Sequence, residues 1–146
     1  MKARCVNNTG SILRSYELEH ISNESAFGRF GVSETTVYPI DVGREYLVMG
    51  LIVFQSYVAY LVDDDGYICA CPCQLFEIVD DRVNLSWRFR VVEKNEEIYP
   101  FVQAILGYPE LCSDLKSYQK LIFDEEQEAQ QIYFVRKTEI LRELAE

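Results

Sequence analysis

The sequence predicts an α+β fold, with a small antiparallel barrel or curled meander over residues 1–93 and a helical tail over residues 94–146, all in a single domain. Two observations predict it. Short β-prone runs between Val37 and Val92 are separated by tight-turn clusters, the pattern of consecutive antiparallel strands. Beyond Lys94 the pattern shifts to helical spacing, with Ala129, Ile132, Tyr133, Arg136, Ile140 and Leu144 on one stripe. Hydrophobic residues make up 49% of the 146 and aromatics 13%, enough to bury a core without disulfides or a metal.

Taken in order, residues 2–8 read as a short strand that ends in the turn cluster Asn7-Asn8-Thr9-Gly10. Residues 11–36 are polar and mixed, including Asn23-Glu24-Ser25, and read as a long loop with at most one short element. Glu45–Phe54 is a strand run. Gln55-Ser56 links it to Tyr57–Val62 as a hairpin. Asp63-Asp64-Asp65-Gly66 is a strong turn, because glycine tolerates positive φ. In Tyr67–Cys73, residues 67, 69, 71 and 73 share a face, and Pro72 places the strand at a sheet edge or at its own end. Gln74–Val79 leads to the turn Asp80-Asp81-Arg82, and Val83–Val92 closes the series. Within it, Trp87, Phe89 and Val91 alternate with Arg88 and Arg90, which predicts that the apolar three face the core.

In the tail, Glu96–Ile105 reads as a short helix in which Pro100 restricts the middle. Ser113 reads as the cap of a helix reaching about Phe123. Asp124 reads as the cap of the last helix, with Gln127 completing a capping box. Acidic residues at its start and Arg136, Lys137 and Arg142 further on suit the helix dipole. A competing reading makes Gln131–Val135 a strand, since Ile-Tyr-Phe-Val is β-prone.

The formal net charge is −10, and it is shared evenly. Residues 1–93 hold 8 basic and 13 acidic side chains, and residues 94–146 hold 6 and 11. Such a chain repels phosphate backbones and anionic membranes and attracts a basic protein. No apolar run follows the N-terminal basic residues, and five cysteines is an odd number, so a cytosolic chain with free thiols is expected.

No catalytic or cofactor motif stands out. Cys69, Cys71 and Cys73 step about 7 Å along a strand, which is not the paired CxxC spacing of structural zinc, and read as small buried hydrophobes. His20 is the sole imidazole; a Cys–His pair would need it to approach a particular thiol. Asp63-Asp64-Asp65 lacks the ligand spacing and terminal Glu of a calcium loop. Gly28-Arg29-Phe30-Gly31 does not open a phosphate-binding helix, and Arg88 with Arg90 is too small a basic stripe for nucleic acid. The acidic turns, taken with Asp124-Glu125-Glu126, are candidates for a surface that meets a cationic partner.

The stretches Asp63-Asp64-Asp65-Gly66-Tyr67, Pro72-Cys73-Gln74-Leu75-Phe76-Glu77-Ile78-Val79-Asp80 and Ser86-Trp87-Arg88-Phe89 resemble small bacterial proteins with an SH3-like barrel. They are also similar in style to immunity proteins of bacterial toxin–immunity systems, including contact-dependent inhibition. The resemblance spans residues 37–92. It implies a cytoplasmic, non-catalytic protein, with no cofactor or metal, that binds and neutralises a cognate toxin domain with a basic surface, for instance a nuclease. The candidate partner-binding residues are Asp63, Asp64, Asp65, Tyr67, Asp80 and Asp81, acidic turns with a tyrosine of the kind enriched at interface hot spots. The alternatives are a small-molecule-sensing accessory domain with an aromatic-lined mouth, and an enzyme using cysteine and His20.

Overall fold

The computed structural model describes residues 1–21, 23 and 26–145. Two antiparallel sheets, short helical turns and one long C-terminal helix give an α+β fold. The sheets do not close into a barrel. The predicted turn Asn23-Glu24-Ser25 falls mostly outside the described residues, at Glu24 and Ser25.

The smaller sheet has the order β2-β1-β6, with β1 at Lys2–Cys5, β2 at Glu45–Leu47 and β6 at Phe76–Asp80. The larger has the order β5-β4-β3-β8-β7, with β3 at Gly50–Phe54, β4 at Val58–Asp64, β5 at Tyr67–Pro72, β7 at Arg88–Val91 and β8 at Val102–Gly107. The run predicted as one strand over Glu45–Phe54 is thus split. Across Leu47-Val48-Met49 the side chains alternate between two cores, and the chain crosses there from one sheet to the other.

Local turn chemistry sets the central hairpins. Gln55 and Ser56 link β3 to β4, with the Phe54 N–H donating to the Tyr57 carbonyl at 2.9 Å. Between β4 and β5, Asp65 (φ 47) and Gly66 (φ 94) both take positive φ, the geometry whose twist matches paired strands. β5 is an edge strand and ends at Pro72, as the sequence suggests. Cys73 lies instead in a 3₁₀ turn over Cys73–Leu75, so only Cys69 and Cys71 share a strand face.

One face of the larger sheet packs under the C-terminal half, where Ile52, Leu61, Ile105, Leu111, Tyr133 and Ile140 form the first core. The other face meets the smaller sheet and the N-terminal segment through Val62, Cys71, Ala3, Leu13, Phe30 and Ile40. Residues 11–36 contribute α1 at Gly10–Leu13 and a 3₁₀ turn at Arg14–Tyr16, and Leu13 and Phe30 plug that second core.

The tail departs most from the sequence reading. The helix expected over Glu96–Ile105 is absent. The chain turns through Glu96–Phe101 and then forms β8, inserted between β3 and β7. Two flanking strands supply β8 with backbone partners on both edges, and Val102 and Ile105 are buried, so tertiary pairing overrides local preference. The helix expected from Ser113 to Phe123 is replaced by two pieces, α2 at Pro109–Ser113 and a π-helical turn at Gln119–Phe123. Ser113 ends α2 instead of capping a helix. Pro109 opens it, where a missing N–H costs nothing.

Asp124 is likewise not the N-terminal cap of the last helix. It continues the π-helical turn in αR geometry, Glu125 takes φ 49, and α3 runs Gln127–Ala145. The strand reading of Gln131–Val135 is excluded because those residues are helical. The apolar stripe holds: Tyr133 and Ile140 are buried, and Ala129, Ile132 and Leu144 pack against the first core.

The strand expected over Val83–Val92 shortens to β7, and its sidedness is reversed. Phe89 and Val91 are exposed at 63% and 57%, whereas Arg90 turns inward and pairs with Glu96 at 2.9 Å. Trp87 is half-buried against the second core.

Candidate functional site

The acidic turns predicted as a contact surface are largely neutralised by cations distant in sequence. Asp63 is the clearest correction. Its side chain is 5% exposed, its Oδ1 accepts from Lys137 Nζ at 2.7 Å and from the Tyr133 hydroxyl at 3.0 Å, and its Oδ2 caps the Gly66 N–H. It pins α3 to the end of β4 and displays no charge. Arg44 spans Asp64 at 2.6 Å and Asp65 at 2.8 Å, and its guanidinium holds the Asp65 carboxyl below the ordinary range. Tyr67 is exposed beside them at 57%.

Asp80 pairs with Arg82 at 2.6 Å, which depresses its carboxyl, and Asp81 is exposed with no ion pair among the described residues. The two turns are not joined. Asp80 lies opposite Lys2 at one end of β1, while the Arg44 backbone binds Cys5 at the other, so about 10 Å of strand separates them.

Unneutralised charge collects elsewhere. Asp124, Glu125, Glu126 and Glu128 are all exposed, and none forms an ion pair among the described residues. The reversed φ at Glu125 folds this run around the start of α3. The Glu126 N–H donates to the Lys120 carbonyl at 2.9 Å, and the Glu126 carbonyl accepts the first α3 bond, from Gln130, at 3.0 Å. The positive end of the 19-residue helix tolerates carboxylates here without neutralising them.

Glu126 and Glu128 border a cleft of about 190 Å³ between α2, the π-helical turn and α3. Tyr108, Leu111, Leu121 and Ile132 supply its apolar walls. Asp114 and Glu110 also border it but are engaged, by Lys120 at 2.9 Å and by Arg136 in a two-pronged pair at 2.7 and 2.8 Å. An apolar slot with an acidic rim suits a lysine or arginine side chain, whose stem is greasy and whose head is charged.

The Arg136 guanidinium holds the Glu110 carboxyl below its ordinary value. A carboxyl depressed in the folded state contributes stability that is complete above its unfolded value, about 4.3, and is lost as pH falls through the folded value. The Glu110→Gln variant is therefore expected to be less stable by up to about 1 kcal/mol at neutral pH. The difference should shrink as pH falls below about 4.3 and the carboxyl takes up its proton. Urea titrations of both proteins across that range measure it.

A second, larger cleft of about 900 Å³ opens between the 28–39 segment, β5 and the π-helical turn. Phe30, Tyr38, Tyr57, Phe101, Tyr118 and Phe123 line it. The Tyr38 hydroxyl is occluded in its wall with no hydrogen-bond partner among the described residues, and burial pushes its proton affinity up.

Cys69 and Cys71 also line this cleft. The Cys71 thiol donates to the Cys69 sulfur at 3.6 Å, which lowers the Cys69 pKa and raises that of Cys71. His20 is exposed and makes no hydrogen bond or ion pair to a cysteine among the described residues. Nor do three metal-ligating side chains converge anywhere among them. Cys5, Cys71 and Cys112 are buried and Cys69 and Cys73 half-buried. Iodoacetamide is thus expected to add at most two groups to the native chain and five after denaturation, read by intact mass.

The carboxylate run at 124–126 is visible in the sequence, and Glu128 follows it. The cleft beside it is not, because its walls come from three segments that no local pattern links. The aromatic cleft draws on still more distant segments. Comparison with protein-family models, curated proteins and solved structures finds no match to this chain. No helix among the described residues is long and apolar enough to cross a membrane.

Proposed function

We propose that this chain is a non-catalytic protein-binding module, an immunity protein that binds and neutralises a cognate toxin domain carrying a basic surface. One observation carries the reading. In a chain of net charge −10, four carboxylates without an ion pair among the described residues fall within five positions, Asp124, Glu125, Glu126 and Glu128, and Glu126 and Glu128 border an apolar slot that fits a cationic side chain. Charge of one sign beside a low-dielectric slot steers an oppositely charged partner and anchors it on arrival. A toxin that acts on nucleic acid needs a basic cleft, and such a cleft is complementary to this surface. Asp81 and Tyr67 remain available as outlying contacts. Asp63, Asp64, Asp65 and Asp80 serve mainly to hold the fold.

Co-expression tests it. The chain is expected to restore growth of cells producing the toxic domain encoded beside it, and the variant D124N/E125Q/E126Q/E128Q is expected to restore it poorly. Equal rescue by both proteins, or rescue by neither, would overturn the reading.

The aromatic cleft favours a second reading, a domain that senses a small apolar molecule. Its volume lies within the range of ligand pockets. Stabilisation in a thermal-shift screen by a metabolite, with no protein partner found, would favour this alternative.

A further inference from the structure

We infer that Cys69 and Cys71 are a chelating pair for a thiophilic metal ion, and that the ion is Cu(I). The arrangement of the five thiols leads to it. Cys5 bonds the Asn7 carbonyl at 3.2 Å, Cys73 the Gln74 side-chain carbonyl at 3.5 Å and Cys112 the Arg88 carbonyl at 3.3 Å. Cys69 and Cys71 instead meet each other, sulfur to sulfur, at 3.6 Å. No other two thiols are in hydrogen-bond contact among the described residues.

The strand makes this pair. Cys69 and Cys71 stand two residues apart on one face of β5, and pairing with Val62 and Tyr60 of β4 fixes their backbone. Side chains so placed start about 7 Å apart, so both thiols lean together. For an ion about 2.3 Å from each sulfur, a separation of 3.6 Å corresponds to an angle of about 100°. That lies near the tetrahedral angle, and a small rotation about χ1 opens it to a trigonal one. The backbone need not move to take the ion.

Ligand count selects the ion. Thiolates favour Cu(I) and Zn(II). Zinc takes three or four protein ligands, and no third metal-ligating side chain joins this pair among the described residues. Cu(I) is soft, has a closed shell and is held by as few as two sulfurs. Its binding changes no oxidation state: two S–H bonds break, two Cu–S bonds form and two protons leave.

Charge and access agree. Asp64 and Asp63 are the carboxylates whose fields bear on Cys69. Arg44 and Lys137 reduce those fields without reversing their sign. A reactive thiolate needs a neighbouring cation, so these surroundings disfavour a nucleophile and favour a bound cation. Both cysteines line the cleft of about 900 Å³, along an edge of β5 that no other strand covers. Cys69 is half-buried there and gives the ion a way in. This cleft shares no lining residue with the acidic slot, so the metal site is separate from the proposed partner surface.

Anaerobic titration of the reduced chain with Cu(I), against a colorimetric Cu(I) chelator, tests this, with native mass spectrometry as a second readout. The parent is expected to retain one Cu(I) and to show an ultraviolet sulfur-to-copper charge-transfer band. Cys69→Ser and Cys71→Ser should each lose the ion and the band while circular dichroism shows the parental fold. Should the buried Cys71→Ser not fold, the half-buried Cys69→Ser decides. Cys73→Ser, at the other half-buried thiol, should keep both ion and band. A parent that cedes all its Cu(I) to the chelator, equal retention by Cys69→Ser, or equal loss in Cys73→Ser would overturn the inference. Retention of zinc in preference to Cu(I) would overturn the choice of ion.

Discussion

Replacing Asp63 by alanine is expected to destabilise the fold by about 3 kcal/mol, because it removes one member of a buried charge pair and orphans the others. The Tyr133 ring sits in the middle of the first core, and its hydroxyl donates to Asp63. Without the carboxylate that hydroxyl has no acceptor, at a cost of about 1–3 kcal/mol. Lys137 is about a quarter exposed and can turn partly to water, which limits its share.

The damage should concentrate at α3, since Asp63 is the point where the end of β4 grips that helix. Urea melts would report the loss, and hydrogen exchange would show α3 amides opening before those of β3 and β4. The double variant D63A/K137M should recover part of the loss by removing the orphaned charge, as expected when an apolar residue replaces one half of a broken pair.

Neutralising the carboxylate run is expected to act on binding and hardly on folding. D124N/E125Q/E126Q/E128Q removes four charges that make no ion pair among the described residues, so its melting curve should shift little. The helix-dipole interaction lost, about 0.3–1 kcal/mol for the first-turn Glu128, is offset by relief of mutual repulsion along the run. The association rate with a basic protein should fall by about tenfold or more at low salt, because steering depends on charge displayed at the point of approach. Dissociation should change less, since the apolar walls that seat the partner's side chain, Tyr108, Leu111, Leu121 and Ile132, are unchanged. Stopped-flow mixing separates the two rates. An equal change in D80N/D81N would place the contact at the other acidic turn.

The contrast between these variants reflects what a linear sequence can convey. The hairpins of β3, β4 and β5 are legible because their determinants are adjacent, as in Asp65-Gly66, whose positive φ values the turn requires. The stripe on α3 is legible for the same reason. β8 is not: both its partners, β3 and β7, lie outside the local window, and Glu96-Glu97 with Pro100 suggests a broken helix. The start of α3 is misplaced because a π-helical turn, whose bonds span five residues, absorbs Asp124.

The candidate site divides similarly. That carboxylates are present is plain from the sequence, but which of them are free is settled by cations far along the chain. Lys137 is 74 residues from Asp63, and Arg44 is 20 from Asp64. Sidedness is the third gap. Alternation identifies Phe89 and Val91 as a pair but says nothing of which side of the sheet is covered.

The most direct measurement is a binding titration between this purified chain and the purified product of the adjacent gene, at about 50 mM and about 500 mM salt. A soluble complex whose affinity weakens at least tenfold at the higher salt is the expected outcome. No complex at either salt, or one whose affinity ignores salt, would contradict a role built on exposed carboxylates.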